Sequence, residues 1–212
     1  WKEAEASFQR ALDLAPGSSL AINGAATLTG CLGRLDEAVG LFRRAVGLDP
    51  LNVAMNRNLG LYSLAAGALE EAEASLNRTL QLTQQSAMTY CWRALTRLAQ
   101  GRLDEALADA QKEVTEIFRL VSTSIVHFAR GEREASDAAL KELVEKQGAD
   151  SPYQVAEVYA ARGQADEAFE WLEKTYADHD PGLSYMKMDP TLANIRNDPR
   201  WLPLLQKMKL ED

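Results

Sequence analysis

Cysteine and histidine are almost absent from this 212-residue sequence: Cys31, Cys91, His127 and His179 are all it holds. Two cysteines cannot build a disulfide framework, and with two histidines far away in sequence they do not read as a zinc site. No window of eighteen consecutive apolar residues occurs, so no segment reads as a bilayer span. Positive charge is short: 23 Lys and Arg stand against 31 Asp and Glu, a net charge of -8. Such a chain repels phosphate backbones and anionic membrane surfaces, which argues against nucleic acid and direct membrane contact. Catalytic signatures are missing too. There is no Gly-x-Gly-x-x-Gly, no phosphate loop, no His-Glu-x-x-His and no Gly-x-Ser-x-Gly. No cofactor or metal is expected, and the reading is not an enzyme. Hydrophobic residues at 46% and charged residues at 25% nevertheless indicate an ordered globular chain.

What is present is a repeat. Gly33, Gly67, Gly101, Gly131 and Gly163 are spaced by 34, 34, 30 and 32 residues, and similar phrases follow them. Gly33-Arg34-Leu35-Asp36-Glu37-Ala38 returns as Gly67-Ala68-Leu69-Glu70-Glu71-Ala72, Gly101-Arg102-Leu103-Asp104-Glu105-Ala106 and Gly163-Gln164-Ala165-Asp166-Glu167-Ala168. Each glycine suits a left-handed helix end, and the acidic residues suit the first turn of a following helix. Small residues recur five after the glycine (Ala38, Ala72, Ala106, Ser136, Ala168) and seven before it (Ala26, Gly60, Ala94, Ser124, Ala156). They allow two helix axes to approach closely. Nine after the glycine stand Phe42, Leu76, Leu140 and Leu172, bulky enough to fill the seam to the next hairpin.

This pattern resembles the tetratricopeptide repeat, a 34-residue helix–turn–helix unit. The resemblance implies an all-α, right-handed superhelical solenoid. Its expected parts are a half repeat at 1–18, repeats near 19–52, 53–86, 87–114, 117–148 and 149–180, and a C-terminal capping segment at 181–212. Arg93 and Arg97 fall where earlier copies carry Leu59 and Ser63, so one of them is expected to reach Glu113 or Asp109. Val121–Val126 is β-branched but bounded by helical periodicity, and reads as helix. After residue 180, Asp180-Pro181-Gly182 reads as a helix break. Asp189-Pro190 and Asp198-Pro199 read as N-caps followed by proline, predicting short helices near 190–196 and 199–208.

The last third is similar to something narrower. Phe118-Arg119-Leu120, Ala156-Glu157-Val158-Tyr159-Ala160, Asp166 to Leu172, Asp180-Pro181-Gly182-Leu183 and Asp198-Pro199-Arg200-Trp201 look like the C-terminal repeat regions of bacterial signalling proteins. Those join a class III adenylate/guanylate cyclase domain, or a winged-helix regulator domain, to such an array. The resemblance implies a cytoplasmic regulatory tail, a natural C-terminus near residue 212 and an output domain before Trp1. The apolar face of Trp1, Ala4, Phe8, Ala11 and Leu12, lacking a hairpin partner, points the same way.

In repeat arrays the first helices line a concave face. The expected groove residues are Asn23, Arg57, Leu61, Leu64, Met88, Cys91, Leu95, Phe118, Val121 and Ile125. An apolar-anchored peptide or helix fits such a groove. The alternative is that these side chains pack between neighbouring helices or lie beneath the C-terminal segment. Chaperone-tail-binding members clamp a carboxylate with Lys, Arg and Asn. Here the aligned positions are Asn23, Thr27, Asn58, Met88 and Trp92, and only Asn58 matches, so that partner is rejected. The expected partner is a protein or peptide segment, the chain's own upstream domain, or a second copy in a homodimer. The competing function is a small-molecule sensor using Met88, Leu95, Phe118 and Ile125 to control an attached cyclase or transcription regulator. His127 reads as a packed or rim residue, and His179 as a cation at a helix C-terminus.

Overall fold

In the computed structural model, which describes residues 1–210, all five repeat glycines have positive φ, from 75° at Gly163 to 85° at Gly33. Each sits in a turn that ties off a helix. At Gly67, the glycine N–H donates to the Leu64 carbonyl at 3.0 Å and the Ala68 N–H to Ser63 at 2.8 Å. These bonds satisfy carbonyls that the helix end leaves open. The chain then reverses into a helix with Asp or Glu in its first turn.

The resulting α-helices are α1 (Lys2–Leu14), α2 (Ser19–Cys31), α3 (Leu35–Leu48), α4 (Val53–Ala65), α5 (Leu69–Leu82) and α6 (Thr89–Ala99). They continue as α7 (Leu103–Ala110), α8 (Glu116–Ala129), α9 (Arg133–Gln147), α10 (Pro152–Ala161), α11 (Ala165–Ala177) and α12 (Trp201–Lys207). Helices α2/α3, α4/α5, α6/α7, α8/α9 and α10/α11 form hairpins, and each hairpin packs on the next in chain order. The even-numbered helices from α4 to α10 also touch one another in series, so they make the inner face.

Small side chains hold each hairpin tight. Ala26, Ala38, Ala72, Ala94, Ala106, Ala156 and Ala168 are all fully buried. At Gly60 the approach is closer still, since a Cβ there would lie 2.6 Å from Leu76 Cγ. In α8/α9 two serines replace the alanines. Ser136 Oγ donates to the Ser124 carbonyl at 2.7 Å, and Ser124 Oγ to the Ser136 carbonyl at 3.0 Å, so neither hydroxyl is orphaned. Phe42, Leu76, Leu140 and Leu172 are buried in the seams.

The shortened fourth copy has a specific geometry. Helix α7 has eight residues where α3 and α5 have fourteen. The chain leaves α7 early and buries the Glu113 carboxylate under the start of α6. There it accepts from Met88 N–H at 3.1 Å, Cys91 N–H at 3.1 Å and Thr115 N–H at 3.0 Å. Helices α2 and α4 are capped by their own Ser18 and Asn52. Helix α6 begins at Met88, a left-handed residue without a side-chain cap, and Glu113 supplies the acceptor from 25 positions away. Glu113 therefore does not meet the arginines. Asp109 does: Arg93 binds it at 2.6 Å and Arg97 at 2.8 Å, with the Asp109 side chain 1% exposed. The β-branched stretch lies inside α8.

After α11 the chain makes two 3-10 turns, Pro181–Tyr185 and Pro190–Ile195, before α12. The first was not expected; Asp180 starts it by accepting from Gly182 N–H at 2.8 Å. Asp189 caps the second, with Pro190 in its first turn. Asp198 departs from expectation. It accepts from Arg200 N–H at 2.9 Å, and α12 starts only at Trp201, two residues beyond Pro199. Leu192, Ile195, Trp201, Leu204 and Leu205 cover Ala156, Ala160 and Leu172 of the last hairpin. The cap also reaches the opposite end of the array. Met188 is buried with Ala26, Val39, Phe42 and Tyr62, and Trp1 Nε1 donates to the Met208 carbonyl at 2.9 Å. Residues 211 and 212 of the expected cap lie outside the described residues.

Candidate functional site

The concave face is occupied by the chain itself. Gly182 lies directly on the Tyr153 ring of α10; a Cβ on it would come within 2.6 Å of Tyr153 Cγ. The Tyr153 hydroxyl donates to Asp189 Oδ2 at 3.0 Å. From this anchor the segment runs to α2, where the first 3-10 turn packs and Met188 enters the α2–α4 core. Pro190, Thr191 and Asn194 lie over Leu64, Leu95 and Ile125. Burying Leu183, Met186, Met188 and Leu192 contributes about 1.5–3 kcal/mol for each side chain.

Cavities remain on both sides of Pro190. A larger one, about 420 Å³, is lined by Arg57, Asn58 and Leu61 of α4, by Met88, Trp92, Phe118, Tyr153 and Glu157, and by Asp180, Tyr185, Asp189 and Pro190 of the returning segment. A smaller one, about 250 Å³, lies between Leu64, Leu95, Leu98, Ile125 and Pro190. Pro190 borders both.

This divides the residues expected from the sequence. Arg57, Leu61, Met88 and Phe118 line the larger cavity; Leu64, Leu95 and Ile125 line the smaller. The sensor quartet is therefore split between two cavities. Cys91 and Val121 are buried in the core with Leu76 and Leu140. Asn23 is half-buried and accepts from Asn58 Nδ2 at 3.1 Å. The sequence allowed that the C-terminal segment covers these side chains, as it does, but did not name the residues of this far wall. Asp180, Gly182 and Asp189 read as chain punctuation, and no local signal marks them as groove contacts.

The far wall is acidic and internally satisfied. Asp189 accepts from Thr191 N–H at 2.8 Å and Thr191 Oγ1 at 2.6 Å as well as from Tyr153. Burial, and then the neighbouring Asp189 charge, push the Glu157 carboxyl well above the usual range. The near wall is the reverse. Arg57 is half-buried and, among the described residues, donates no hydrogen bond and has no ion pair. Burial lowers its pKa. Trp92 Nε1 is buried without a hydrogen-bond partner.

The remaining candidates are structural. Burial pushes the Cys31 thiol up to about 11 and the Cys91 thiol well above its usual value. His127 is half-buried with Nδ1 2.5 Å from Glu132 Oε2. His179 has φ 56° just past α11, the backbone of a helix-terminating residue. Among the described residues no group of three His, Cys, Asp or Glu could hold a metal ion, and no helix is long and apolar enough to cross a membrane.

Residues 32–87 match the tetratricopeptide repeat family profile, spanning α3, α4 and α5. The fold is a tetratricopeptide-repeat solenoid. Solved structures of the same architecture cover most of the chain. The thermophilic tetratricopeptide-repeat protein TTC0263 of Thermus thermophilus is 20% identical with a TM-score of 0.63, over 89% of this chain and 100% of that one. The type IV pilus biogenesis factor PilW is 20% identical, with a TM-score of 0.62 over 86% and 88%. YrrB, described as a tetratricopeptide-repeat protein with an unusual peptide-binding site, is 16% identical, with a TM-score of 0.52 over 84% and 95%. No curated protein sequence matches the chain. At these identities the tetratricopeptide-repeat likeness speaks for fold, and the site rests on its own geometry.

Proposed function

We propose that this tetratricopeptide-repeat chain is a non-catalytic interaction scaffold, serving as the C-terminal regulatory region of a bacterial multidomain signalling protein. One observation carries the scaffold reading: the inner face already holds a segment of the chain itself, wound in short 3-10 turns. Residues 181–192 lie across it with Leu183, Met186, Met188 and Leu192 buried and both Asp-Pro steps engaged. A surface that holds its own segment through buried apolar side chains and local caps is suited to a partner segment of the same kind. The signalling context rests on the resemblance of the last third to cyclase and winged-helix regulator tails.

The test uses the full chain and a fluorescent peptide of the sequence 181–196. Met188→Asp should loosen the resident segment and raise peptide affinity at least about tenfold over the unmodified chain, read by anisotropy. No binding to either form removes the scaffold reading. Adding the chain to an isolated cyclase or winged-helix output domain, and finding its activity or operator binding unchanged, removes the signalling context.

A second reading has its own observation. The 420 Å³ cavity is in the size range of small-ligand sites. It supports a small-molecule-sensing regulatory domain.

A further inference from the structure

The larger cavity carries an imbalance of hydrogen-bonding groups. Its buried Asp189 carboxylate is in use: Asp189 is bound by Thr191 and Tyr153, and one Asp180 oxygen accepts from Gly182 N–H. Two of its donors are unfilled: the Arg57 guanidinium, which among the described residues has no hydrogen bond or ion pair and only the Tyr185 phenol as an electrostatic neighbour, and the buried Trp92 indole N–H. Removing a guanidinium from water is costly unless an anion or several acceptors replace the lost hydration. The fork of N–H groups matches a carboxylate.

The rest of the lining sets the body of the ligand. Leu61, Met88, Trp92 and Phe118 are apolar, and two of them are aromatic. The returning segment forms one wall, and Pro190 stands between this cavity and the next, so an extended chain has no continuous track through it.

We propose that this cavity binds a small free carboxylic acid, with its carboxylate on Arg57 and an aromatic or branched apolar body against Leu61, Met88, Trp92 and Phe118. The proposal rests on the second reading above, that the cavity takes a small molecule. It adds the ligand's charge and shape.

The test is calorimetric titration of the full chain with phenylacetate, indole-3-acetate and octanoate, alongside phenylacetamide and indole-3-acetamide. At least one acid should bind saturably, and its neutral amide at least about tenfold more weakly. Arg57→Met should weaken the acid at least about tenfold with an unchanged far-ultraviolet dichroism spectrum, while Arg43→Met, at an exposed arginine paired with Glu71, should stay within about twofold. The acid–amide comparison needs no variant, so it decides the matter even if Arg57→Met misfolds. Equal binding of acid and amide overturns the carboxylate assignment while leaving a small-molecule cavity. No saturable binding by any probe overturns both. Tighter binding of a short peptide with a free C-terminal carboxylate than of any free acid overturns the choice of a small ligand.

Discussion

The Trp1 indole nitrogen hydrogen-bonds the Met208 carbonyl at 2.9 Å, across 207 positions of sequence. An open repeat array has contacts only between neighbours, so its ends fray independently. Here Met188 and Trp1 join the first hairpin to the last segment. Met188→Ala should therefore cost about 2–5 kcal/mol and should weaken α2 and α10 together. Hydrogen exchange resolved by residue checks this. Protection lost only around residue 188 would show that the closure carries no coupling.

Asp109 is the hub of a buried charge network. It faces both Arg93 and Arg97, and Arg93 also binds Asn77. Asp109→Ala leaves two arginines with their principal acceptor gone, and should destabilise by about 3–5 kcal/mol in urea unfolding. A loss below about 1 kcal/mol would mean that solvent enters this site freely.

Glu157 gives a signed pH dependence. Its ordinary value is near 4.5, and burial beside Asp189 raises it in the folded chain. Above 4.5 and below the raised value, the native state holds a proton that the unfolded chain has released. Stability must then fall as pH rises through that window. Glu157→Gln keeps an N–H donor toward Asp189 and cannot ionise. The difference in stability between variant and parent should move in the variant's favour from pH 5 to pH 8, measured by denaturant midpoints. Parallel pH profiles would show that Glu157 is charged in the fold.

Two glycines should fail for different reasons. Gly101 has φ 77° with nothing near its Cβ position, so Gly101→Ala costs about 1–2 kcal/mol from backbone alone. Gly182 has no such φ constraint but rests on Tyr153. Gly182→Val should lift the returning segment off α10, exposing apolar surface that binds a reporter dye such as ANS, with helix content retained. Dye binding unchanged in Gly182→Val would show that the contact is dispensable.

The repeat was legible because its physics is local and periodic. A glycine that must turn left-handed, a carboxylate that starts a helix and an alanine that lets two axes meet recur in phase from Gly33 to Ala168. The cap at Asp189 was visible because it too is local; Asp180 read only as a helix break, and Asp198 read as a cap for a helix that starts instead at Trp201. The second role of Asp180 and Asp189 was not visible. Whether Gly182 meets Tyr153, or Met188 meets Phe42, depends on the path of the segment across the superhelix, and no spacing encodes that. Leu95 and Ile125 show the cost. Their positions fit the inner face, yet they are buried in the core beside the returning segment, so an aspartate at either acts on folding before it acts on any partner. Arg57 stood in the expected groove, but its lack of an acid partner appears only when every nearby carboxylate has been placed.

The indole-to-carbonyl contact between the extremities has a topological corollary. Residues 1 and 208 are near enough for a handful of residues to bridge them, and a new break could be opened in an exposed hairpin turn such as that at Gly67. A circularly permuted chain built this way would keep every stacked interface while changing which hairpin is synthesised first, turning the order of assembly into an experimental variable.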